Sequence, residues 1–584
     1  MSLHPQEIDA IPEETRRVAR AAFPKGNLYM KMRDEMGTLY EDTDFRGLFP
    51  SRGQPGLAPW RLALVTIMQY VEGLSDRQAL DAVRARIDWK YALGLPLTDP
   101  GFDYSVLCEF RTRLVASQAE NLLLEKLLTL FKARGWLRAR GKQRTDSTHV
   151  LAAVRTLNRL ELVGETLRAA LNSLTFANPE WLLNYVSPDW FDRYTHRVEA
   201  YRMPRGDDKR QAYALTVGQD GWTLLQALAA DTAPCWLQEL PAVVALRQIW
   251  GQQYECATGA LRWRQEAELP AARERYDSPY DVEARFGCKR TTGWTGYKVH
   301  LTETCDPEQP HLITAVETTP AVCTDHEVAT AIHDQLASRA LLPEQHLVDT
   351  GYVDAEWMLK SQQQHGITVV GPLLPDSSWQ ANAGQGYDSQ HFQVHWKDQH
   401  AACPQGRRSK AWHRSTDAHG HPVIRVQFAA RDCLACPVRA QCTRGQGGRQ
   451  LTLRPREEQE LLQAMRKQQV TPAWQMLYRV RAGIEGTLSQ GIRAFNLRRT
   501  RYRGLAKTHI QHVITAVAMN VTRMVAWLNG IPHAQTRISR FATLEAIHCN
   551  RLGELIAPLT LPLSPAGRGN YSESICSESS CYAL

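Results

Sequence analysis

The stretch Gln143-Arg-Thr-Asp-Ser-Thr-His-Val-Leu151 alternates in side-chain character and predicts a β-strand. A second block of strand signals follows much later in the chain. Residues 297–304 and 311–319 alternate with period two around a turn that contains proline, which predicts an antiparallel hairpin. A helix over residues 325–340 then leads to a short apolar strand at residues 346–348. This order of strand, hairpin, helix and strand is typical of an α/β fold.

The segment before the first strand has a different character. Residues 59–70 have apolar side chains at helical spacing, and Ser75 begins a further helix in a capping-type sequence that ends in Gln78. Part of this segment resembles the first half of a helix-turn-helix, although most such helix pairs in proteins are only packing elements. We therefore predict an all-α domain over residues 28–140, with a potential role in DNA binding, after an N-terminal extension at residues 1–27.

Composition changes along the rest of the chain divide it further. Ser, Pro and Gly dominate the final residues, a pattern typical of disorder. The predicted organisation is a core at residues 141–372 with a helical insertion at about 155–275, a Cys-rich inserted module at 373–450, the helical C-terminal part of the core at 451–545, and a disordered tail at 546–584. Within the C-terminal part, helices are predicted at residues 456–469, 472–489 and 507–528.

Length and composition exclude several classes of protein. A chain of 584 residues with 43% hydrophobic and 22% charged residues is large enough for several compact units. Its apolar runs are too short to span a membrane, and its N-terminus shows no secretory signal. We therefore expect a cytoplasmic protein without a membrane partner.

The charge is concentrated in one region. The net charge is only +8, but residues 479–507 hold eight basic residues and a single acid, Glu485. Phe495 and Tyr502 lie among these arginines, so the run is able to hold phosphates and to stack on bases. We predict DNA contacts by Arg493, Arg498, Arg499, Arg501, Arg503 and Lys507. The alternative is a solvated basic surface.

Three acids stand in positions that suit metal chemistry. Asp146 lies within the first predicted strand, where a lone aspartate is more often an edge or turn residue. Asp349 follows the short apolar strand, a place that is often catalytic in α/β folds but more often caps a helix. Glu485 shares one predicted helical face with Tyr478 and Arg481, because they are spaced i, i+3 and i+7.

Two glycines flank the glutamate. Gly483 and Gly486 each cost about 1 kcal/mol in a helix interior, which indicates that some group approaches the helix closely there. This weighs against an ordinary surface ion pair as the explanation of Glu485.

The pattern Tyr-x2-Arg-x3-Glu after two separated aspartates resembles the signature of DDE-class insertion-sequence transposases, which have a ribonuclease-H-like core. The phrases Gly296-Tyr-Lys-Val-His-Leu-Thr-Glu, Val348-Asp-Thr-Gly-Tyr and Arg498-Arg-Thr-Arg-Tyr-Arg-Gly also resemble that group. Many signatures of the family continue to a lysine seven residues after the glutamate. Here that position is Ile492, and Arg493 is a candidate substitute.

The resemblance implies a catalytic triad of Asp146, Asp349 and Glu485, supported by Tyr478 and Arg481. It also implies a ribonuclease-H-like mixed sheet flanked by helices. The triad would hold two Mg²⁺ or Mn²⁺ ions, which stabilise the attacking and leaving oxygens during phosphodiester cleavage. The implied partners are double-stranded DNA, both the terminal inverted repeats of the element and the target, and a second copy of the chain. The implied location is the cytoplasm, in association with the nucleoid.

Four cysteines cluster in the predicted inserted module. Cys403, Cys433, Cys436 and Cys442 follow the spacing C-x29-C-x2-C-x5-C, and four thiolates suit a tetrahedral structural zinc ion. Only one C-x2-C pair is present, so four reduced cysteines without metal remain the alternative. A nearby histidine could also replace one cysteine, and the candidates are His400, His413, His419 and His421.

Three functions compete on these patterns. The first is a transposase that cleaves element ends and joins 3′-hydroxyls to target DNA. The second is a metal-dependent nuclease with the same core but without strand transfer. The third is a zinc-bearing DNA-binding protein whose catalytic core has decayed, and the presence of all three acids argues against it.

Overall fold

The computed structural model describes residues 2–532 except 6, 9, 200, 202, 258, 259, 290, 385 and 419. The predicted tail at residues 546–584 and the final residues of the predicted C-terminal core lie outside this part. Within the described residues, helices are either too short or too polar to cross a membrane.

Helices make up the segment before the first strand. They are α1 (Glu13–Ala22), α2 (Leu28–Lys31), α3 (Pro59–Glu72), α4 (Asp76–Ala85), α5 (Ile87–Leu93), α6 (Ser105–Ala116) and α7 (Leu122–Ala133). The Ser75 hydroxyl accepts a hydrogen bond from the Gln78 amide, while the Gln78 side chain accepts one from the Ser75 amide. This is the capping box that the sequence predicts for α4.

A second group of helices follows the first strand, β1 (Lys142–Leu151). It comprises α8 (Arg159–Ala177), α9 (Pro179–Leu183), α10 (Pro188–Tyr194), α11 (Asp207–Ala229) and α12 (Pro241–Gln253), then the hairpin of β2 (Tyr254–Ala257) and β3 (Ala260–Trp263). These helices bury an apolar cluster of their own, in which Trp250 lies against Gly221. In the region predicted as helical at about 155–275, the last of these helices ends at Gln253. The β2–β3 hairpin follows, and Tyr254 and Trp263 pack against each other across it.

The central sheet is mixed and has six strands. Besides β1 it contains β4 (Arg285–Lys289), β5 (Thr292–Thr304), β6 (Ile313–Pro320), β7 (Gln345–Leu347) and β8 (Thr368–Val370). Strand β5 pairs antiparallel with β1, β4 and β6, and β7 pairs parallel with both β1 and β8. The predicted antiparallel hairpin is therefore β5 and β6. A mixed sheet of this kind in an α/β protein is compatible with a ribonuclease-H-like core.

The elements after β6 complete the chain. They are α13 (Asp325–Ser338), α14 (Ala355–His365), α15 (Trp379–Asn382), β9 (Gln393–His395), β10 (His400–Ala402), β11 (Ala411–Thr416), β12 (Pro422–Gln427), α16 (Ala430–Leu434), α17 (Arg439–Cys442), β13 (Gln450–Leu453), α18 (Arg456–Gln468), α19 (Pro472–Arg479), α20 (Gly483–Phe495) and α21 (Leu505–Leu528). Strands β11, β12 and β13 form one small sheet, and β9 pairs with β10. This region has its own apolar cluster around Phe392 and Phe428.

Helix α21 is apolar on nearly all sides and is buried along most of its length. A helix of this kind requires packing partners all around it. It finds them in the N-terminal helices α3 and α7 and in strand β6, and its residues belong to the same apolar cluster as those of α3, α7 and the central sheet. The N-terminal helices and the sheet therefore share one core through α21.

A buried carboxylate connects the sheet to the C-terminal helices. Glu303 on β5 is fully buried and accepts hydrogen bonds from the Arg144 Nε on β1 and the Arg523 Nη1 on α21, both at 2.7 Å. The Thr487 hydroxyl on α20 donates a third at 2.6 Å. Burial by itself would raise the pKa of Glu303, but Arg523 and Arg144 bring it below its usual value. The carboxylate is therefore charged and paired.

We expect Glu303→Gln to destabilise the fold by about 3–5 kcal/mol, because two buried guanidinium groups would lose their shared counter-charge. Urea denaturation at neutral pH measures this loss. The exposed Glu308→Gln, on the turn after β5, is the matched control and should change the free energy of unfolding by less than about 0.5 kcal/mol.

The same pair of variants carries a pH test. The pKa of Glu303 is lowered in the folded protein. Ionised Glu303 therefore contributes fully to the free energy of unfolding above its ordinary pKa of 4.5, and this contribution is lost as the pH falls through the folded pKa. The difference between wild type and Glu303→Gln should therefore shrink below about pH 4.5. A difference that grows with acid would contradict the assignment of a charged Glu303.

Candidate active site

Strand register brings the two aspartates side by side. Strands β1 and β7 run parallel, and their last registered pair is Arg144 with Leu347. Asp146 and Asp349 each lie two residues beyond that pair. The two aspartates therefore occupy equivalent positions just beyond the paired residues of neighbouring strands.

Asp349 occupies the turn that the sequence predicts after the short strand. Its carboxylate accepts a hydrogen bond from the Thr350 amide at 2.8 Å, at the start of a 3-10 turn over Thr350–Tyr352. Gly351 is in this turn without a positive φ. A side chain there would come within 3.0 Å of the Asp325 carboxylate, so the glycine is explained by this close approach and not by a left-handed turn.

The segment that carries Glu485 is not the single helix predicted at residues 472–489. Helix α19 ends at Arg479, a 3-10 turn covers Val480–Ala482, and α20 begins at Gly483. The cause is Arg144, whose Nη1 donates a hydrogen bond of 2.6 Å to the Val480 carbonyl and so enters the helical hydrogen-bond ladder.

The two glycines of this segment differ in their surroundings. A Cβ atom at Gly483 would lie 2.0 Å from the Arg144 Nη1, so the predicted close approach is confirmed there and the approaching group is Arg144. At Gly486 the prediction is wrong, because described atoms other than its chain neighbours lie more than 4 Å from that position.

All three acids converge on one cation, Arg481. Its Nη2 atom lies 2.8 Å from the Asp146 carboxylate and 3.8 Å from that of Asp349, and its Nη1 atom lies 3.5 Å from that of Glu485. Exposure increases across the set: the side chain is 14% exposed at Asp146, 43% at Asp349 and 68% at Glu485. The carboxylates thus form a cluster that is closed at Asp146 and open to solvent at Glu485.

Burial sets the electrostatics of this cluster. It raises the pKa of Asp146, and the neighbouring Asp349 raises it further, whereas Arg481 and the Ser147 amide only partly offset the increase. Burial also raises the pKa of Tyr478, which lies within electrostatic range of Arg481 and the acids. The site therefore holds a carboxylate in an environment that disfavours its charge unless a cation is close.

Two further residues, which no sequence pattern indicates as part of the site, act around the cluster. Arg144 fixes the turn before Gly483, as described above, and Lys289 on β4 acts electrostatically on Asp146. Neither belongs to a spacing pattern, because each reaches the site from a different strand.

The donor set fits a hard divalent cation. Carboxylate oxygens are the ligands that Mg²⁺ prefers, and the three carboxylates already surround a positively charged group. In the described part of the chain, His, Cys, Asp and Glu side chains form no ready-made metal site of three or more members. The positive charge that the three carboxylates surround is the Arg481 guanidinium.

The basic run lies on the surface beside the end of β1. The Leu151 amide donates to the Arg498 carbonyl, and the Thr500 amide donates back to the Leu151 carbonyl. Arg498 also donates to the Thr148 hydroxyl at 2.9 Å, whereas Arg501 donates to the Leu74 carbonyl at 2.7 Å. The run is thus attached both to the strand that carries Asp146 and to the N-terminal helices.

The six predicted DNA contacts divide by environment. Arg498 is half-buried and the other five are exposed. The side chains of Arg498, Arg501 and Arg503 also hold protein groups through hydrogen bonds or aromatic contacts, whereas no such side-chain contact ties Arg493, Arg499 or Lys507 to the described residues. None of the six forms an ion pair with an acid among the described residues. Their positive charge therefore remains available to an anionic partner.

The four clustered cysteines line a single cavity of about 30 Å³. Backbone amides donate to two of the sulfurs, from Arg407 to the Cys403 Sγ and from Arg449 to the Cys433 Sγ, each at 3.3 Å. The described histidines His400, His413 and His421 are not among the lining residues, and His419 lies outside the described part. The fold thus gathers the cysteines but not the histidines.

Two stretches match known families. Residues 402–525 match a family described as a transposase DDE domain, and residues 17–113 match a transposase domain of the DUF772 family. The first match contains Glu485 and the four cysteines, whereas Asp146 and Asp349 lie outside both matches. A search of curated proteins found no match.

Both matched families are transposase domains, and a mixed α/β sheet that carries acids is compatible with a DDE domain. Together, the two matches support an insertion-sequence transposase of the DDE class.

Proposed function

We propose that this transposase cleaves DNA at the ends of its element and joins the 3′-hydroxyl ends to target DNA with Asp146, Asp349 and Glu485 as its triad. The observation that carries the proposal is their convergence on Arg481 from three separate elements. Such convergence is unexpected for acids that serve only as turn or surface residues.

Each residue has a distinct role in this proposal. Asp146, the most buried acid, fixes the position of the cluster on the central strand, and Glu485, the most exposed, faces incoming DNA. Arg481 is a positioning residue that keeps the three carboxylates together in the absence of other cations. Tyr478 would support the cluster from the same helical segment, within electrostatic range of Arg481 and the acids.

Mg²⁺ or Mn²⁺, when bound by the three carboxylates, supplies the positive charge that activates the attacking oxygen and stabilises the leaving oxygen. Charged carboxylates are the chain's contribution to that step. The basic run beside β1 would hold the DNA backbone, and two copies of the chain in the cytoplasm would each hold one element end, on nucleoid DNA.

The domain organisation forms part of the same proposal. The N-terminal helices would act as an all-α transposase domain that contacts DNA. The cysteine region would act as an inserted module that is stabilised by one structural zinc ion. Its four sulfurs line one cavity, and the two amide hydrogen bonds to sulfur suit thiolate ligands.

The amide variants Asp146→Asn, Asp349→Asn and Glu485→Gln should each reduce cleavage and strand transfer by more than about a thousandfold, because each removes a charge that holds the metal. The assay uses linear DNA that carries the sequences bordering the gene. Asp354→Asn, which keeps its capping role on α14, and the exposed Glu457→Gln are controls that should retain activity. Normal cleavage by any one of the three variants would remove that residue from the triad.

A binding measurement separates this result from misfolding. Because burial raises the pKa of Asp146, its ionised form is disfavoured in the folded state, and Asp146→Asn should melt at the wild-type temperature or above it. Mg²⁺ or Mn²⁺ should raise the melting temperature of the wild type and not that of Asp146→Asn. Cleavage without joined products would favour the nuclease alternative, and activity in a chelator would exclude the metal mechanism.

Purified protein should contain one zinc ion per chain, and the double variant Cys433→Ser with Cys436→Ser should contain none, because two thiolates cannot complete the site. Elemental analysis measures the content. Loss of zinc should also expose residues 373–450 to proteolysis. Cys235→Ser, at an exposed cysteine outside the cluster, is the control. A zinc-free wild type with four titratable thiols and a protease-resistant module would contradict the assignment.

The exposed arginines of the basic run that hold no protein group should contact the DNA. Replacing both Arg493 and Arg499 by Ala should weaken binding to duplex DNA and lower the slope of log K against log salt by about 2, since two phosphate contacts are lost. Lys467→Ala, at an exposed lysine of α18, should leave the slope unchanged. An unchanged slope in the double variant would make the run a solvated surface.

A further inference from the structure

A second basic site lies away from the acids. A cavity of about 500 Å³ opens where the chain passes from β1 into the helical insertion, and we call it the arginine cavity. Its charged and aromatic lining residues are Arg155, Glu165, Arg168, Arg197, Tyr280 and Arg503. They come from four distant parts of the sequence, so the fold assembles the cavity.

Glu165 organises the cavity wall. Its side chain is only 2% exposed, and it accepts hydrogen bonds from the Arg168 Nη2 at 2.9 Å, the Tyr280 hydroxyl at 2.5 Å and the Val198 amide at 2.6 Å. Burial by itself would raise the pKa of Glu165, but the hydrogen bonds from Arg168 and Tyr280 lower it. The charge of Glu165 is thus used to hold Arg168 and Tyr280 in place.

The remaining cations exceed the acids around them. Arg155 pairs with Glu161 at 3.1 Å, and Arg503 lies over the Tyr280 ring at 5.2 Å from its centre. Arg197 is exposed and forms no ion pair with the described residues. Four guanidinium groups therefore face two carboxylates, which leaves an excess of about two positive charges for an anion.

The position of the cavity suits a DNA strand bound at the acids. Its wall begins at Ala152, directly after the end of β1 and six residues from Asp146, or roughly 20 Å at the rise of a strand. At 3.4 Å per nucleotide along one DNA strand, that separation corresponds to roughly six nucleotide steps. The basic run borders the same path, because Arg503 belongs to both the run and the cavity.

We propose that the arginine cavity binds a phosphate group, and that its source is a backbone phosphate of the DNA roughly six nucleotides from the scissile position. Planar guanidinium groups bind phosphate oxygens in pairs, and Tyr280 with Arg503 offers a stacking surface beside them. The DNA source rests on the proposed function, whereas the phosphate site itself does not.

The test uses Arg197→Ala, because Arg197 makes no ion pair with the described residues and its loss should leave the fold intact. Binding of a short duplex with the sequence bordering the gene should weaken by about tenfold, and the salt slope should fall by about 1. Arg197→Lys should keep the slope, since it keeps the charge. Arg247→Ala, at an exposed arginine of α12 outside the cavity, should match the wild type.

A phosphate scan identifies the source. The scan uses duplexes in which one backbone phosphate at a time is replaced by a neutral methylphosphonate. Replacing the phosphate that the cavity holds should weaken binding by the wild type and should not weaken binding by Arg197→Ala any further. If the scan is flat but inorganic phosphate binds the wild type and not Arg197→Ala in calorimetry, the source is a free phosphorylated molecule and the DNA assignment is overturned. If Arg197→Ala changes neither measurement, the cavity is not a phosphate site. None of these readouts requires cleavage, so failure of the catalytic proposal gives a different result.

Discussion

The pairing of Arg144 and Arg523 with the single carboxylate of Glu303 is the constraint on which the rest of the site depends. The three residues come from β1, α21 and β5, and the group is almost completely buried. A buried charge must be matched by an opposite charge in good geometry, and this requirement fixes the sheet relative to α21. Arg144 also holds the Val480 carbonyl, so the same group determines where α20 begins. The placement of Arg481 and Glu485 follows from that turn.

The acids illustrate a conflict between stability and chemistry. A carboxylate at the position of Asp146 is disfavoured by burial and by the nearby Asp349, and Arg481 compensates only in part. Sites that are less stable than they could be are common where function requires a specific charge. The same arrangement explains why the cluster surrounds a guanidinium: without a cation in the centre, three carboxylates would repel one another.

Much of this architecture was predictable from local patterns. The alternation in β1, β5 and β6 and the capping box at Ser75 reflect interactions between residues close in sequence, and they appear in the structure as expected. The break between α19 and α20 was not predictable, because it is caused by Arg144, a residue from a strand far away in the sequence. The arginine cavity was not predictable either, because its residues are far apart in the sequence and only the fold brings them together. The triad is implied by a family resemblance, and spacing alone does not predict that its three acids converge.

The central position of α21 has a consequence for biosynthesis. The helix is made after nearly all the other described elements, yet it supplies the packing surface for α3, α7 and β6. Until α21 has been made, the apolar surfaces of the N-terminal helices and the sheet that pack against it stay uncovered. Contacts between such distant parts of a chain also form slowly. The helical insertion, which buries a cluster of its own, is free to fold earlier. The nascent chain therefore folds its helical insertion before its centre, and the acids meet only after α21 has been made.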